Sequence, residues 1–222
     1  LLLEAGPRLL TAFPLDLADY AVRKLTKLGV TVRTSCPVER ITDHTVFAAG
    51  EEIGVGFATW AAGVMASPLG RFLGVDLDRA GRVRVNADLS VPGKEGIYVL
   101  GDLALAIDEH GKPLPGLAQV AKQEGEYLGR ALARKIQRGE TPKPFKFNNR
   151  GNTAIIGRHA AVFDFGWSRM KGWLAWCLWA LIHVYLLVGF QHRFMVAIQW
   201  LWRYVTYERG SRLIAEDASK EV

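Results

Sequence analysis

The sequence GIYVLGDLALAIDEHGKPLPGLAQVAKQEGEYLGR, residues Gly96 to Arg130, decides the fold. Its apolar run, residues 97–100, predicts a short strand that ends at Gly101-Asp102, and a loop rich in glycine and proline then leads into a helix near Leu117. In open α/β sheets, ligands bind beyond the carboxyl ends of the strands, where the next helix also points its N-terminal N–H groups. The stretch therefore predicts an α/β fold in which Asp102 accepts hydrogen bonds from ligand hydroxyls.

Two motifs in this stretch resemble those of a known family. Gly101-Asp102-Leu103-Ala104 is similar to the last FAD-contacting strand of the two-dinucleotide-domain flavoprotein disulphide-reductase superfamily. Residues 118–125, AQVAKQEG, resemble the Ala-Gln-x-Ala-x-Gln motif of type II NADH:quinone oxidoreductases, the non-proton-pumping alternative NADH dehydrogenases. Together with a Trp-rich C-terminal tail these motifs are specific, and the resemblance extends over essentially the whole chain.

The resemblance implies three parts in this chain. Residues 1–88 are expected to be the C-terminal part of a Rossmann-like NADH-binding domain, and residues 89–142 the last segment of an FAD-binding domain. Residues 143–222 are expected to form an α-helical membrane-anchoring and dimerisation region. The sequence opens without Met in the middle of a strand-like run, so we expect a C-terminal half whose N-terminal half is missing.

Composition narrows the function classes. Of the 222 residues, half are hydrophobic and seven are Trp, and the apolar excess lies after Gly172. The net charge of +6 comes from scattered Lys and Arg that form no basic stripe, which argues against a nucleic-acid partner and favours an anionic membrane surface. Cys36 and Cys177 form no disulphide framework or CxxC motif, which indicates a cytoplasmic-side protein and argues against sulphide:quinone oxidoreductases.

Glu4 is the candidate ligand of the NADH ribose. It follows the run Leu1 to Leu3 as the acid follows the second strand of a Rossmann unit, where it accepts the ribose hydroxyls and repels the 2′-phosphate of NADPH. Taken alone, such an acid is more often a solvent-facing strand end. Residues 4–14 continue as the family does, although the glycine-rich turn that precedes this acid in the family is absent from the sequence.

The run FATWAAG, residues 57–63, predicts an apolar strand that ends in small residues, against which a flat ring can lie. The resemblance implies that Ala61, Ala62 and Gly63 contact the cofactor where the NADH domain faces the flavin, while Trp60 packs in the core. The alternative is a core strand that simply ends at Gly63. With Glu4, the predicted cofactor-binding set is completed by four residues of the opening stretch: Gly101, Asp102, Ala118 and Gln119.

Gln119 and Gln123 are the candidate catalytic residues. They stand at i and i+4 on one helical face, so both amides can address one flat redox ring. A quinone needs hydrogen-bond donors without a fixed charge that would hinder its access from lipid, and the resemblance implies that this pair lies at the flavin–quinone junction. As isolated residues, two such glutamines are more often surface side chains. Lys122 and Glu126 are expected to form a surface pair on another side.

The remaining patterns predict scaffold. A helix is expected over 16–28, a hairpin around Gly50, and short strands at the other alternating or apolar runs: 30–32, 38–41, 82–88, 154–156 and 161–163. The run 82–88 is expected to be an exposed strand. Arg150 stands where the family commonly has Lys, which leaves a proton-relay role at this position open because a guanidinium stays charged.

The C-terminal tail predicts membrane contact. Residues 173–190 are apolar apart from His183 and would form a helix about 27 Å long, marginal against a hydrocarbon core of about 30 Å. After Gln191-His192-Arg193 comes a shorter segment, 194–205, whose polar stripe suits a helix in the membrane plane. We expect a peripheral or monotopic anchor rather than a span, on the cytoplasmic side of the inner membrane, in a homodimer. A dimer interface without membrane contact is the alternative.

The resemblance implies that NADH reduces FAD and that the flavin reduces a membrane quinone, ubiquinone or menaquinone, without proton pumping. The alternatives are a related membrane flavoprotein with another donor or acceptor, and a non-catalytic module that attaches to the membrane and dimerises. No metal site is predicted. Because the chain has no glycine-rich phosphate turn, we expect the bare 222 residues to bind FAD poorly and to be inactive.

Overall fold

The structure, a computed structural model, describes residues 1–61, 63–187 and 189–206. It divides into two compact units. The first unit is formed by residues 1–58 together with the chain from Arg150 onward, and the second by residues 59–149. Both units combine helices with strands, so the predicted α/β class is confirmed.

The first unit begins with a β–α–β segment and a small antiparallel sheet. Its elements are β1 (Leu2–Leu3), α1 (Leu15–Lys27), β2 (Val32–Arg33), β3 (Val38–Ile41), β4 (Thr45–Ala48) and β5 (Glu51–Gly54). β1 pairs in parallel with β2, whereas β3, β4 and β5 form a meander. α1 buries Leu17 and Ala21, and the chain leaves the helix through Gly29, whose φ of +84° favours glycine. The predicted helix and the hairpin around Gly50 are confirmed.

The rest of this unit is a three-stranded antiparallel sheet of order β10-β9-β8, with helices on both faces. Its elements are β8 (Asn152–Gly157), β9 (Ala160–Asp164), β10 (Arg169–Gly172) and α3 (Trp173–Leu186). Alternate side chains of β9 point to opposite faces. Val162 packs with Leu17 of α1, while Ala161 and Phe163 pack with Ala175 of α3. β9 is therefore buried on both faces and forms the centre of the unit.

The second unit consists of short strands, two 3₁₀ turns and one long helix. Its elements are a turn at Pro68–Leu73, β6 (Val83–Arg84), a turn at Gly101–Leu103, β7 (Ala104–Leu105) and α2 (Ala118–Arg138). β6 and β7 pair in parallel above a small core of Val83, Val91, Val99 and Ala104. α2 packs against the Gly101–Leu103 turn and buries one face: Val120, Glu124, Leu128 and Ala131. This contact positions the candidate site.

Two apolar runs predicted as strands do not form strands. Residues 57–61 pair with no strand in the described part of the chain, and Trp60 is 65% exposed, so its predicted core packing is wrong. Residues 97–100 are joined to a neighbour only by an isolated bridge from Tyr98 to Ser90. An apolar run forms a strand only where a neighbour takes up its backbone hydrogen bonds. Asp102 therefore lies in a 3₁₀ turn before β7 rather than directly after a strand.

The run 82–88 also differs from its prediction. Only Val83 and Arg84 form a strand, and Val83 is fully buried in the core instead of lying in an exposed strand. The alternation arises because Val83 and Val85 face the core while Arg84 between them is exposed. A strand buried on one face gives the same alternating pattern as an exposed one.

The C-terminal tail folds as two helices, α3 and α4 (Phe190–Thr206). The apolar helix ends at Leu186 instead of reaching Phe190. Residues 191–193, predicted as the break, belong to the first turn of α4, where Arg193 Nε donates to the carbonyl of Leu187 at 2.8 Å. No helix in the described residues is both long and apolar enough to cross a membrane. Of the predicted anchoring region 143–222, residue 188 and everything after Thr206 lie outside the described residues.

Candidate functional site

A cavity of about 340 Å³ opens in the second unit beside α2 and the Gly101–Leu103 turn. Small residues form much of its wall, so a ligand can approach the backbone closely: Gly63, Ala66, Ala80, Gly101, Ala104 and Gly116. Three charged side chains reach the same wall, those of Arg82, Asp102 and Glu124. Its volume lies in the range of about 300–1,000 Å³ that is usual for small-molecule sites.

Asp102 carries an exposed carboxylate at this wall. Gly101 before it has a φ of +67°, a conformation that favours glycine. Gly116 faces it so closely that a Cβ at position 116 would lie 3.2 Å from Oδ1 of Asp102. The carboxylate is thus accessible to a ligand that has hydroxyl donors, as the sequence predicts for this residue.

Glu124 is the residue of this cavity that sequence reasoning missed. It is 1% exposed, and its Oε2 accepts a 2.6 Å hydrogen bond from the amide of Gly101. Burial raises the pKa of Glu124; the bond from Gly101 opposes this shift and the charge of Asp102 adds to it. The sequence contains a signal for this burial. Val120, Glu124 and Leu128 are spaced four residues apart, so they share one helical face and place a carboxyl group within an apolar stripe.

As predicted, Gln119 and Gln123 lie on one face of α2. Both side chains are half-buried. The Nε2 atom of Gln123 donates to the carbonyl of Asn148 at 3.0 Å, and the amide of Asn148 donates back to Oε1 at 2.9 Å. The described wall of the cavity includes Val120 and Glu124 of α2 but neither glutamine. Their catalytic role stays a prediction. The predicted pair of Lys122 and Glu126 is confirmed, with 3.8 Å between Nζ and Oε1.

The cavity brings together three of the predicted cofactor-binding residues: Gly63, Gly101 and Asp102. Ala118 and Ala61 are exposed and do not belong to its described wall. Ala62 lies outside the described residues. Three of the eight predicted residues therefore lie together at the described wall, and the roles of all eight in binding stay predictions.

Glu4 occupies a separate place, in the first unit. It directly follows β1, and its backbone continues the parallel pairing because the amide of Glu4 donates to the carbonyl of Arg33 at 2.9 Å. Its Oε1 accepts a 2.6 Å hydrogen bond from the amide of Gly6. The half-buried carboxylate is thus oriented at the C-terminal end of a parallel strand, which is where dinucleotide-binding sheets hold their ribose-binding acid.

The described residues contain no candidate metal centre. No three His, Cys, Asp or Glu side chains there come together in a way that could hold a metal ion. Cys36 and Cys177 are both free thiols, the first buried and the second half-buried.

The two C-terminal helices expose a large apolar surface. α4 has no buried residue, and it carries exposed Phe194, Leu201 and Trp202 among its polar positions. Trp179 of α3 and Trp200 of α4 stack with 5.7 Å between ring centroids. Tyr204 ties the end of α4 to the β8–β9 turn, because its carbonyl accepts from Arg158 at 2.6 Å and its hydroxyl lies 2.9 Å from His159 Nε2.

Comparison with protein families gives two matches in chain order. Residues 1–125 match the family described as pyridine nucleotide-disulphide oxidoreductase. Residues 149–207 match the family described as NDH2 C-terminal domain. The first match covers the cavity residues and Glu4, and the second covers the β8–β10 sheet with α3 and α4.

Among curated proteins, the chain is similar to two type II NADH:quinone oxidoreductases of Mycobacterium tuberculosis. It is 31% identical to Ndh in an alignment 228 residues long, which covers 97% of this chain and 48% of that protein. It is 33% identical to NdhA in an alignment 227 residues long, which covers 96% of this chain and 47% of that protein. The chain therefore spans about half the length of these relatives.

Among solved structures, the chain is similar to NDH2 from Plasmodium falciparum in complex with NADH. The TM-score is 0.81 at 19% identity, and the match covers 91% of this chain and 57% of that one. An FAD-dependent pyridine nucleotide-disulphide oxidoreductase from Desulfovibrio vulgaris matches 72% of the chain with a TM-score of 0.56 at 21% identity. At these identities the likeness concerns the fold.

Proposed function

The chain belongs to the pyridine nucleotide-disulphide oxidoreductase family, and from this membership we propose that it is part of a type II NADH:quinone oxidoreductase. Such a protein passes electrons from NADH through FAD to a membrane quinone without pumping protons. One observation carries the proposal: a dinucleotide-oxidoreductase match over residues 1–125 and an NDH2 C-terminal match over residues 149–207 follow each other in a single chain. The names of the two mycobacterial relatives support the same function.

FAD would be held at the cavity around Asp102. Asp102 offers an acceptor for the sugar-alcohol hydroxyls, and Gly63, Gly101 and Gly116 leave room for a flat ring and its chain close to the backbone. The described cavity fits such a group. The 222 residues contain no G-x-G-x-x-G turn, so the pyrophosphate would be held by residues outside this sequence. When bound, FAD supplies the two-electron chemistry, and the task of the chain is to orient it.

NADH would be recognised through Glu4. The carboxylate at the end of β1 can accept both ribose hydroxyls, and its charge repels a 2′-phosphate. Selection of NADH over NADPH would then rest on this side chain. Ala61, Ala62 and Gly63 are proposed to face the nicotinamide side of the flavin.

The quinone, ubiquinone or menaquinone, would meet the face of α2 that carries Gln119 and Gln123. Neutral amides can donate to the quinone carbonyl oxygens and leave access from lipid open to an apolar molecule. Ala118 at the start of the helix is proposed to contact the flavin. The division into residues 1–88, 89–142 and 143–222 is part of the same proposal.

The membrane contact is proposed for α3 and α4. Their exposed apolar side chains suit the interfacial region of a bilayer, and Arg193 and Arg203 can meet anionic headgroups. We place this contact on the cytoplasmic side of the inner membrane, as a peripheral or monotopic attachment in a homodimer.

The test uses the full product of the gene that encodes this chain. The purified protein should contain FAD, oxidise NADH in preference to NADPH, and reduce a quinone embedded in liposomes. Replacement D102A should weaken FAD binding, whereas E109A, which changes an exposed carboxylate of the same unit, should leave it unchanged. A protein that holds no flavin would contradict the proposal.

Two other results would redirect the assignment. A flavoprotein that reduces a soluble acceptor but no quinone would be a related membrane flavoprotein with another acceptor. A protein that binds lipid and dimerises without flavin would be the non-catalytic module. For the bare 222 residues we expect weak FAD binding and no turnover. Flavin titration of that chain measures the binding directly.

A further inference from the structure

We propose that Glu124 is a positioning residue of the flavin site: its buried carboxylate holds the amide of Gly101 and thereby fixes the turn that presents Asp102. The inference rests on the proposed function, because it takes flavin as the ligand of the cavity. Glu124 does not reach the reacting atoms in this scheme. It acts through Gly101 on the orientation of Asp102.

Glu124 is almost completely buried on the inner face of α2. Among the described residues no other charged side chain is as deeply buried, and its neighbours on the inner face of α2, Val120 and Leu128, are apolar. A buried carboxyl group is unfavourable unless it is hydrogen-bonded. Its hydrogen-bond partner among the described residues is one backbone amide, that of Gly101, at 2.6 Å. The contact joins residues 23 positions apart, so it fixes the turn against the helix.

The turn that presents Asp102 begins at Gly101. Gly101 adopts a φ of +67°, and the next residue is Asp102. Without an acceptor, the amide of Gly101 would be an unpaired donor at the wall of the cavity. Oδ1 of Asp102 lies close to Gly116, where an added Cβ would be 3.2 Å away from it. A small displacement of the turn would therefore move the carboxylate away from a bound hydroxyl.

The carboxyl groups of Glu124 and Asp102 border the same cavity as the side chain of Arg82. Arg82 is already paired with Asp78, with 2.7 Å between Nη2 and Oδ2. Among the described residues Glu124 forms no ion pair, and the hydrogen-bond partner of its carboxylate is the Gly101 amide. A residue that acted as an ion-pair partner would need its charge, whereas the proposed role needs only an acceptor.

A matched pair of substitutions in the full gene product separates these roles. Glu124→Gln keeps an acceptor and the volume, while Glu124→Met keeps the volume and removes the acceptor. We expect FAD affinity within about threefold of wild type for E124Q and about tenfold weaker for E124M, the factor expected for one buried hydrogen bond. K122A, which removes an exposed lysine of the same helix, is the control and should bind FAD like wild type.

A double-mutant cycle tests whether Glu124 acts through Asp102. In a D102A background, E124M should weaken FAD binding by less than about twofold, because the carboxylate it positions is gone. An equal loss in both backgrounds would overturn the positioning role and leave only a general effect on stability. FAD binding by E124M that matches wild type would also overturn it.

Hydrogen exchange at the Gly101 amide gives a readout that needs no flavin. The amide should be protected in wild type and E124Q and exchange faster in E124M. Rapid exchange in the folded wild type would overturn the proposal even if E124M does not fold. Absence of flavin from wild type, with Gly101 still protected, would instead refute the proposed function and leave the contact intact.

Discussion

Gln123 and Asn148 exchange two hydrogen bonds, one in each direction, at 3.0 and 2.9 Å. Both functions of the Gln123 side-chain amide are therefore used by one backbone position, 25 residues further along the chain. The pair fastens the irregular segment 139–149 to the face of α2 that carries Gln119. A glutamine that the sequence offers as a quinone ligand thus also has a structural role in the second unit.

Replacement Q123A should release this segment. It leaves the amide and the carbonyl of Asn148 without their side-chain partner, so we expect a loss of about 1–2 kcal/mol in the free energy of unfolding. Hydrogen exchange at the Asn148 amide should become faster. The neighbouring K122A, which removes only an exposed pair with Glu126, should change stability by less than about 0.5 kcal/mol. Equal stability of Q123A and K122A would contradict the structural role.

Periodicity predicted α2 well. Its start after Leu117 and the shared face of Gln119 and Gln123 follow from local spacing alone, and so does the exposed pair of Lys122 and Glu126. The bond from Gly101 to Glu124 and the bonds from Gln123 to Asn148 join distant positions. Spacing within one helix carries no information about such partners.

Two of the strand predictions failed for a related reason. Residues 57–61 and 97–100 are suitable for strands, but a strand also needs a neighbour in register, which a single run does not specify. In contrast, β9 was predicted correctly because its core residues 161–163 are apolar on both faces, and the structure covers both faces with α1 and α3. Asp102 was found through a motif, although the strand expected before it is absent.

The buried Glu124 predicts how stability depends on pH. Its pKa in the folded state is raised above the ordinary 4.5, chiefly by burial, so the fold favours the protonated form. This contribution is fully present below pH 4.5 and is lost as pH rises through the raised native pKa. E124Q cannot ionise, so its stability relative to wild type should rise over that interval.

Urea unfolding of wild type and E124Q at several pH values measures this difference. The pKa values of Asp78 and Asp108 are lowered by hydrogen bonds from neighbouring backbone amides and, for Asp78, from the Arg82 side chain. Protonation of these two carboxylates therefore destabilises the fold as pH falls. Both are present in the two proteins, so their contribution cancels in the difference. A stability difference that does not change with pH would show that Glu124 does not titrate between the two states.

Gly151 should tolerate no side chain. Its φ is +93°, and a Cβ there would overlap the carbonyl oxygen of Asp164 and lie 2.9 Å from Cα of Phe165, both backbone atoms that cannot rotate away. Gly166 has a similar φ of +80° but open space around it. We expect G166A to cost about 1–2 kcal/mol for the left-handed backbone alone. G151A should cost about 1–3 kcal/mol more, because of the overlap.

Thermal or urea unfolding of the two variants measures that gap. Gly151 directly precedes β8 and Gly166 lies in the turn between β9 and β10, so the same three-stranded sheet reports on each. Equal destabilisation would show that the β8–β9 pair can shift to admit a methyl group, and the close approach at Gly151 would then not constrain this sheet.

The proposed membrane contact predicts how α4 responds to polar substitutions. Phe194 and Leu201, seven residues apart on one face, are 59% and 64% exposed, and α4 has no buried residue, so F194S/L201S should leave the fold intact. Burying two such side chains in lipid is worth about 1.5–3 kcal/mol each, so binding to vesicles should weaken at least about tenfold. Q199S on the same helix is the control and should bind like wild type.

Sedimentation with vesicles of phosphatidylethanolamine and phosphatidylglycerol measures this binding, and raising the salt concentration separates the two driving forces. Salt should weaken the contribution of Arg193 and Arg203 but leave the apolar one, so the gap between F194S/L201S and Q199S should persist at high salt. If F194S/L201S binds vesicles normally but sediments as a smaller oligomer, the apolar face of α4 is a dimer interface instead.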